Sequence, residues 1–246
     1  LNLTFTPDIN LENEGEIALV SQSGAYGYTL IKYGETEGVG FSKFISIGNS
    51  CDLDVIDILE YLEEDPNTKV ITVYMEGIRK PNRGRKFLEV TKRITKKKPI
   101  IIVKSGKTEA GRRGVVSHTG SLAGSEKIYE ATFKQAGIIR ASSGTEMLDI
   151  ARALTLQPLP KGNKIVVISN VGGPGIVAAD ICEENGLKLV TLPNHVKEKL
   201  KDKLPPTASL ANPIDLAAGW ANMHVYEDVL NEIVADRDVD GVIVIA

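Results

Sequence analysis

Glu16–Gly27 reads EIALVSQSGAYG. The run Glu16–Ser21 is apolar and stops at SQSGAYG, where Gly24 and Gly27 precede an amphipathic segment through about Glu37. A short apolar run, a tight turn and then helical periodicity predict strand, turn and helix, an arrangement that points free helix N–H groups at an anion. The same alternation continues outward. Phe44–Gly48 predicts a strand, Leu53–Glu64 a helix with Val55, Ile56, Leu59 and Leu62 on one face, and Val70–Met75 a strand that ends at Glu76. Arg83–Thr95 reads as a helix and Pro99–Lys104 as a strand. The glycine-rich stretch Gly111–Gly124 (GRRGVVSHTGSLAG) reads as a loop, followed by a helix from about Ser125 to Gln135, a strand at Ile138–Arg140 and a helix at Thr145–Leu154.

Periodicity lapses across Leu156–Asn163 (LQPLPKGN), which marks a domain boundary. Beyond it the pattern restarts with a strand at Lys164–Ser169, the turn NVGGPG and a helix through Asn185. A strand at Leu187–Thr191, a helix at His195–Lys203, a long loop at Leu204–Met223, a helix at His224–Ala235 and a strand at Gly241–Ile245 complete the pattern. Strand and helix alternating in this way imply α/β domains with parallel sheets, here 1–157 and 158–246. A last element that is a buried-type strand, and an opening (LNLTFTPDIN) that looks like the middle of a chain, lead us to expect ends cut from a larger polypeptide. The second domain is then incomplete.

The formal net charge is -3. That gives no basic field for a nucleic-acid backbone, and no basic-aromatic interleaving suggests base stacking, so nucleic acid is not an expected partner. No apolar run approaches the roughly 20 residues that span a bilayer, and no signal peptide is visible, so no membrane association is expected. The two cysteines, Cys51 and Cys182, have no metal-ligand spacing, so we expect no metal site and a reduced, cytoplasmic setting.

Chemistry concentrates at His118, bracketed by Ser117, Thr119 and Ser121 and hinged by Gly111, Gly114, Gly120 and Gly124. A neutral imidazole can attack phosphorus through one ring nitrogen while an acceptor holds the other. The bland alternative is a loop histidine donating to a carbonyl, and local sequence does not choose between them. Glu76 is the expected acceptor, because strand ends of one parallel sheet converge on a single edge. The SQSGAYG turn is the expected phosphate cradle, with Ser23 as cap and the amides of Gly24, Ala25 and Tyr26 as donors. Two or three charge-assisted bonds of about 1.5–3 kcal/mol each would hold a phosphate without lysine, although a lone motif is more often an ordinary capped turn. Asn170 with Gly172, Gly173 and Gly175 opens a second helix similarly. Ser105–Thr108 (SGKT) imitates a P-loop ending, but Ile101 stands where the upstream glycine belongs. The basic cluster Lys92, Arg93, Lys96, Lys97 and Lys98 is expected to stay solvated at a helix end.

In order along the chain, LNLTF, IALVSQSGAYG, SIGN with DLDV, VYMEGI, VSHTGSLAG, VGGPGIVAAD and NPIDL resemble the ADP-forming (NDP-forming) acyl-CoA synthetases, or acetate–CoA ligases, relatives of succinyl-CoA synthetase. The resemblance implies two flavodoxin-like domains and phosphorylation of His118. It implies contact of Glu76 with the phosphohistidine and a phosphate at Ser23–Ala25; from their amides and hydroxyls, Ser117, Thr119 and Gly120 are expected to bind phosphate as well. Asn49, Asp52 and Asp54 match the GN-x-x-D-x-D pattern, with Asn49 and Asp52 as possible substrate-side residues. The implied reaction is acyl-CoA, phosphate and ADP giving acid, CoA and ATP through an acyl phosphate. CoA, ADP or ATP and Mg would be held mainly by parts this chain lacks: a CoA-binding Rossmann domain and an ATP-grasp domain or beta subunit, in an oligomeric assembly. One alternative is the non-catalytic ligase-like regulatory region of a protein acetyltransferase, which generally lacks the histidine. An aspartate-phosphorylated receiver is the other, but Ser21, Gln22 and Ser23 stand where its acidic residues belong.

Overall fold

The computed structural model describes residues 14–119, 124–201, 203–217 and 223–245. Two compact units meet between Pro158 and Leu159.

In the first unit, β1 (Glu14–Ser21) lies between β2 (Phe41–Ser46) and β3 (Val70–Met75), and β4 (Ile100–Lys104) and β5 (Ile139–Ala141) extend the sheet. All pairings are parallel, in the order β2-β1-β3-β4-β5. Ile17 to Ser21 are all buried, as a central strand covered on both faces must be. Side chains alternate between the faces. Ala18, Val20, Ile71 and Val73 pack with Leu59 of α2 (Val55–Glu64), Phe87 of α3 (Gly84–Ile94) and Phe133 of α5 (Glu126–Ala136). Ile17, Leu19, Val70 and Ile101 pack with Leu30 and Ile31 of α1 (Gly24–Thr36) and Met147 and Leu148 of α6 (Gly144–Leu156). The chain therefore leaves β1 toward one face and β3 toward the other. This divergence is a topological switch point, and it opens a crevice at the carboxyl ends of those two strands.

α2 begins with a charged lock. Asp54 Oδ1 accepts from the Ile56 and Asp57 amides, Asp57 returns a bond to the Asp54 amide, and Arg83 donates to both Asp54 oxygens and to Asp57. The second acid of the GN-x-x-D-x-D pattern is thus a helix cap. Lys92, Arg93, Lys96 and Lys97 are exposed, as expected of a solvated cluster; the departure is that three of the cluster's cations are engaged. Arg93 and Lys97 grip the buried Glu63, holding its carboxyl below the usual range, and Lys98 donates to the Leu62 and Asp65 carbonyls at the end of α2. Each carbonyl also accepts one main-chain amide, from Asp65 and Thr68 respectively, so the lysine adds a second bond to each and pins the segment after α3 to α2.

A second departure concerns Gly111–Gly124. Glu109–Thr119 is helical, as α4, so Gly111, Gly114, Ser117 and His118 lie on a helix rather than in a loop. Thr108 starts it by accepting the Gly111 amide at its hydroxyl and the Arg112 amide at its carbonyl. Once such a cap satisfies the first turn, two glycines weaken the helix without forbidding it.

In the second unit β6 (Lys164–Ser169) is central. β7 (Lys188–Leu189) pairs with its first residues, β8 (Ile214–Asp215) with its last, and β9 (Gly241–Ile245) along Ile165–Ser169, all parallel. Val166 and Ile168 pack with α8 (Asn194–Lys201) and α9 (Met223–Val234), while Ile165 and Val167 face α7 (Gly172–Glu184). The short β8 falls inside the predicted loop. Asn212 props it: its carboxamide donates to the Ile165 and Val190 carbonyls and accepts the Val167 amide. The side chain thus does the bonding of a missing stretch of strand.

The last residue of β4, Lys104, is 1% exposed. Its Nζ donates to the Ser105 carbonyl at 2.6 Å and lies 4.7 Å from the Tyr129 ring centroid. Burial pushes its ammonium down to about 8. Between that value and the unfolded lysine value of about 10.4, the unfolded chain binds the extra proton. Stability therefore rises with pH across that window. Denaturant unfolding at pH 7 and pH 10 should show wild type gaining about 2–3 kcal/mol relative to Lys104→Met as pH rises; a pH-independent difference would refute the assignment. At the α2 cap, Asp54→Ala should cost about 2–3 kcal/mol by stranding Arg83, while Asp52→Ala should stay within about 0.5 kcal/mol.

Candidate functional site

A cleft of about 560 Å³ lies over the crevice, lined by Ser23, Ala25, Tyr26, Tyr74 and Glu76 from the strand ends, Ser105 and Gly106 after β4, and Gly111, Gly114 and Val115 of α4. Three segments far apart in sequence meet there because parallel strands end on one edge.

The turn after β1 forms the floor. The Ser21 hydroxyl donates to the Ser23 carbonyl at 2.6 Å and accepts the Ser23 amide at 3.2 Å, which sets the tight exit from the strand. Ser23 then caps α1 by accepting the Tyr26 amide at 3.3 Å. This corrects one expectation: the Tyr26 amide is already engaged by its own cap, so the free donors are the amides of Gly24 and Ala25. Those first-turn amides have no intrahelical acceptor. Tyr26 contributes its ring instead, at 4.4 Å from the Tyr74 ring, and its hydroxyl accepts the Gly144 amide. Burial pushes the Tyr74 phenol up. Gly27 must lack a side chain, because a Cβ there would meet the Phe44 ring at 2.7 Å and Ser21 Cβ at 3.0 Å.

Glu76 is 6% exposed and sits where β3 ends. Gln22 Oε1 accepts the Glu76 and Gly77 amides at 2.5 and 3.0 Å, and Gln22 Nε2 donates to the Gly77 carbonyl at 2.9 Å. One carboxylate oxygen, Oε2, accepts from Arg79 at 2.9 Å. Oε1 has no partner among the described residues.

α4 covers the cleft. Gly111, Gly114 and Val115 line it, and the helical repeat puts position 118 on the same stripe, three, four and seven residues further along. The Ser117 hydroxyl donates to the Gly114 carbonyl at 3.0 Å, so it is spent on its own turn. The imidazole of His118, the Thr119 side chain and Gly120 lie outside the described residues. Asn49 is exposed and accepts from Arg79 at 2.5 Å, whereas the Asp52 carboxylate is exposed and its carbonyl accepts from Lys80. Asn49 is thereby connected to Glu76 through Arg79, and Asp52 is not.

Sequence reading missed Gln22, Arg79, Ser105 and Tyr74. Gln22 sits inside the quoted turn, and its position at a strand end beside two glycine-flanked carbonyl edges is the signal that could have found it. Ser105 opens the SGKT stretch set aside as a false P-loop ending, and no local pattern marks Arg79 or Tyr74.

The second unit repeats the turn. The Ser169 hydroxyl donates to the Val171 carbonyl at 2.7 Å and accepts its amide at 3.2 Å, and Gly175 approaches Ser169 Cβ as Gly27 approaches Ser21. α7, which Gly172 and Gly173 open, has no side-chain cap, and the Asp215 carboxylate stands 3.0 Å from where a Gly172 Cβ would be. Among the described residues no cluster of His, Cys, Asp and Glu could hold a metal ion, and no helix is long and apolar enough to cross a membrane.

Comparison with known proteins agrees with the fold. Residues 14–154 match the model of the succinyl-CoA ligase like flavodoxin domain, and residues 165–245 match the Ligase-CoA domain. The alpha subunit of the ADP-forming acetate–CoA ligase II of Pyrococcus furiosus is 47% identical over 245 residues, which are 100% of this chain and 52% of that protein. An ADP-forming acetate–CoA ligase of Methanocaldococcus jannaschii is 44% identical over 88% of this chain and 30% of its own length. The solved dinucleotide-forming acetyl-coenzyme A synthetase 1 of Ca. Korarchaeum cryptofilum, in complex with phosphate and ADP, superposes with a TM-score of 0.88 at 43% identity over 94% of this chain and 49% of its own. The chain spans about half the length, or less, of these relatives. With a family model matched across more than half of its residues and the flavodoxin-like strand order in its first sheet, the chain belongs to the succinyl-CoA ligase-like family, whose close relatives here are ADP-forming acid–CoA ligases.

Proposed function

We propose that this chain carries the phosphoryl relay of a reversible ADP-forming acid–CoA ligase. Phosphate displaces CoA from an acyl-CoA, giving an acyl phosphate and free CoA. A ring nitrogen of His118 attacks the phosphorus, the carboxylate leaves, and the phosphoryl group rests on histidine as the ring's other N–H donates to Glu76. ADP then takes the phosphoryl group, giving ATP and neutral histidine.

The observation that carries this reading is the cleft at the β1/β3 switch point. It joins two free first-turn amides, a buried carboxylate with one oxygen unengaged, and a helix stripe that runs on to position 118. Amides of Gly24 and Ala25 suit an anion held by charge-assisted bonds and the helix dipole. Glu76 suits an imidazole that becomes cationic on phosphorylation, since a carboxylate fixes its tautomer and stabilises the charge. The Gly172, Gly173 and Gly175 turn is a second phosphate cradle in this reading, supported by its repetition of the Ser21 geometry.

The remaining parts are proposed from the half-length match. An ATP-grasp domain or beta subunit would hold ADP with Mg, a Rossmann domain would hold CoA, and the whole would assemble as an oligomer. Val171, Ile176, Val177 and Ile181, exposed at and along α7, are consistent with a covering partner. CoA and nucleotide as substrates fit a cytoplasmic setting, as do the free thiols of Cys51 and Cys182.

Incubating the full-length protein, with any separate subunit, with radiolabelled ATP and Mg should give a label that is stable in base and lost in acid. Peptide mapping should place it on His118, and His118→Ala should abolish it. A base-labile label would instead indicate an acyl phosphate on aspartate and would refute the relay. Glu76→Gln should keep the native circular dichroism while slowing phosphorylation about 10- to 100-fold. An unchanged rate would remove Glu76 from the site.

A further inference from the structure

Arg79 belongs to no motif the sequence singles out, yet among the described residues it is the one hydrogen-bond donor to the Glu76 carboxylate, which also feels the charge of Lys104. Its Nη2 donates to Glu76 Oε2 at 2.9 Å and its Nη1 to Asn49 Oδ1 at 2.5 Å. The pair is deeply placed, with side-chain exposures of 12% for Arg79 and 7% for Glu76. The guanidinium Nε is buried without an acceptor among the described residues. Such a pair is a poor device for stability. Desolvating two charges offsets most of their attraction, and here one donor is also left unsatisfied. Geometry is what it supplies. Gln22 fixes the Glu76 main chain, and Arg79 fixes the rotation of its carboxylate by holding one oxygen, so that the other is presented in a set direction. Asn49, exposed at the turn after β2, fixes the far side of the guanidinium.

We propose that Arg79 is a positioning residue for the relay: it orients Glu76 so that Oε1 meets the His118 imidazole, and Asn49 sets where the guanidinium stands. This rests on the phosphohistidine reading above and deepens it. Asn49 then acts through Arg79 and Glu76 rather than on the substrate, which separates it from Asp52 in the same turn.

The test compares phosphorylation of wild type, Arg79→Met, Arg79→Lys and Asn49→Ala in the full-length protein. Arg79→Met should lower the rate about 10- to 100-fold with KM for ATP unchanged. Arg79→Lys should recover part of the rate, and Asn49→Ala should show a smaller loss of the same kind. In a Glu76→Gln background Arg79→Met should add no further loss, since the group it positions is gone. Should Arg79→Met fail to fold, Arg79→Lys and Asn49→Ala carry the comparison. Rates equal to wild type in these variants, or losses that add fully to Glu76→Gln, overturn the proposal while leaving the relay intact. Absence of acid-labile label in wild type itself overturns the relay, and this inference with it.

Discussion

The Gln22 carboxamide ties the end of β1 to the end of β3, and the geometry of the cleft is set from that tie. One oxygen takes two main-chain amides, those of Glu76 and Gly77, and the nitrogen returns a bond to the Gly77 carbonyl. Two parallel strands that send their chains to opposite faces of the sheet have no ladder beyond their last pair, so their exit groups would be buried without partners. A glutamate at position 22 could accept the amides but could not donate to the carbonyl. An aliphatic residue would strand all three groups at about 1–3 kcal/mol each. The amide is the side chain that closes this edge, and Glu76 is presented to the cleft as a by-product of closing it.

The two units use one turn for two different openings. Ser21 and Ser169 fold back on the residue two ahead with nearly equal distances, and a glycine six residues on lets each helix press against that serine. They diverge at the cap. Ser23 spends its hydroxyl on the third amide of α1, leaving two free. Val171 has no oxygen to give, so α7 starts with its amides open, apart from Pro174, which has none. Beside α7 stands Asp215, a negative group next to the positive end of a helix; beside α1 stands Glu76, already neutralised by Arg79. Equal backbones thus give sites of different charge.

Much of this was legible in the sequence. The unbroken apolar run in EIALVS and the alternation of strands with helices pointed to parallel sheets, and the serine ahead of Gly24 announced a capped helix. What was not legible depends on groups far apart in the chain. β8 is two residues long and exists because Asn212 reaches across to β6 and to the segment after β7, which no local period records. Arg93 and Lys97 are solvated as read, but their partner was not legible, because the buried Glu63 that receives them lies thirty or more residues earlier. The shape of the cleft's cover was misread for a different reason: glycine content argued for a loop, whereas the Thr108 cap was enough to start a helix.

The composition of that helix limits its stability. Gly111 and Gly114 each cost about 1 kcal/mol relative to alanine. The Thr108 cap returns about 1 kcal/mol, and the exposed Glu109–Arg113 pair returns a few tenths. Val115 is its one buried side chain among those described, so packing adds little more. The balance sits near zero, as it does for isolated helices of this length. A segment so poised can exchange helical for extended backbone at small cost, and extended chain gains about 1.8 Å per residue over helix. Over the residues between Gly111 and position 118 that amounts to roughly 13 Å. In the proposed relay, a group that must accept at one site and donate at another needs a tether, and the glycines that obscure its secondary structure would supply one.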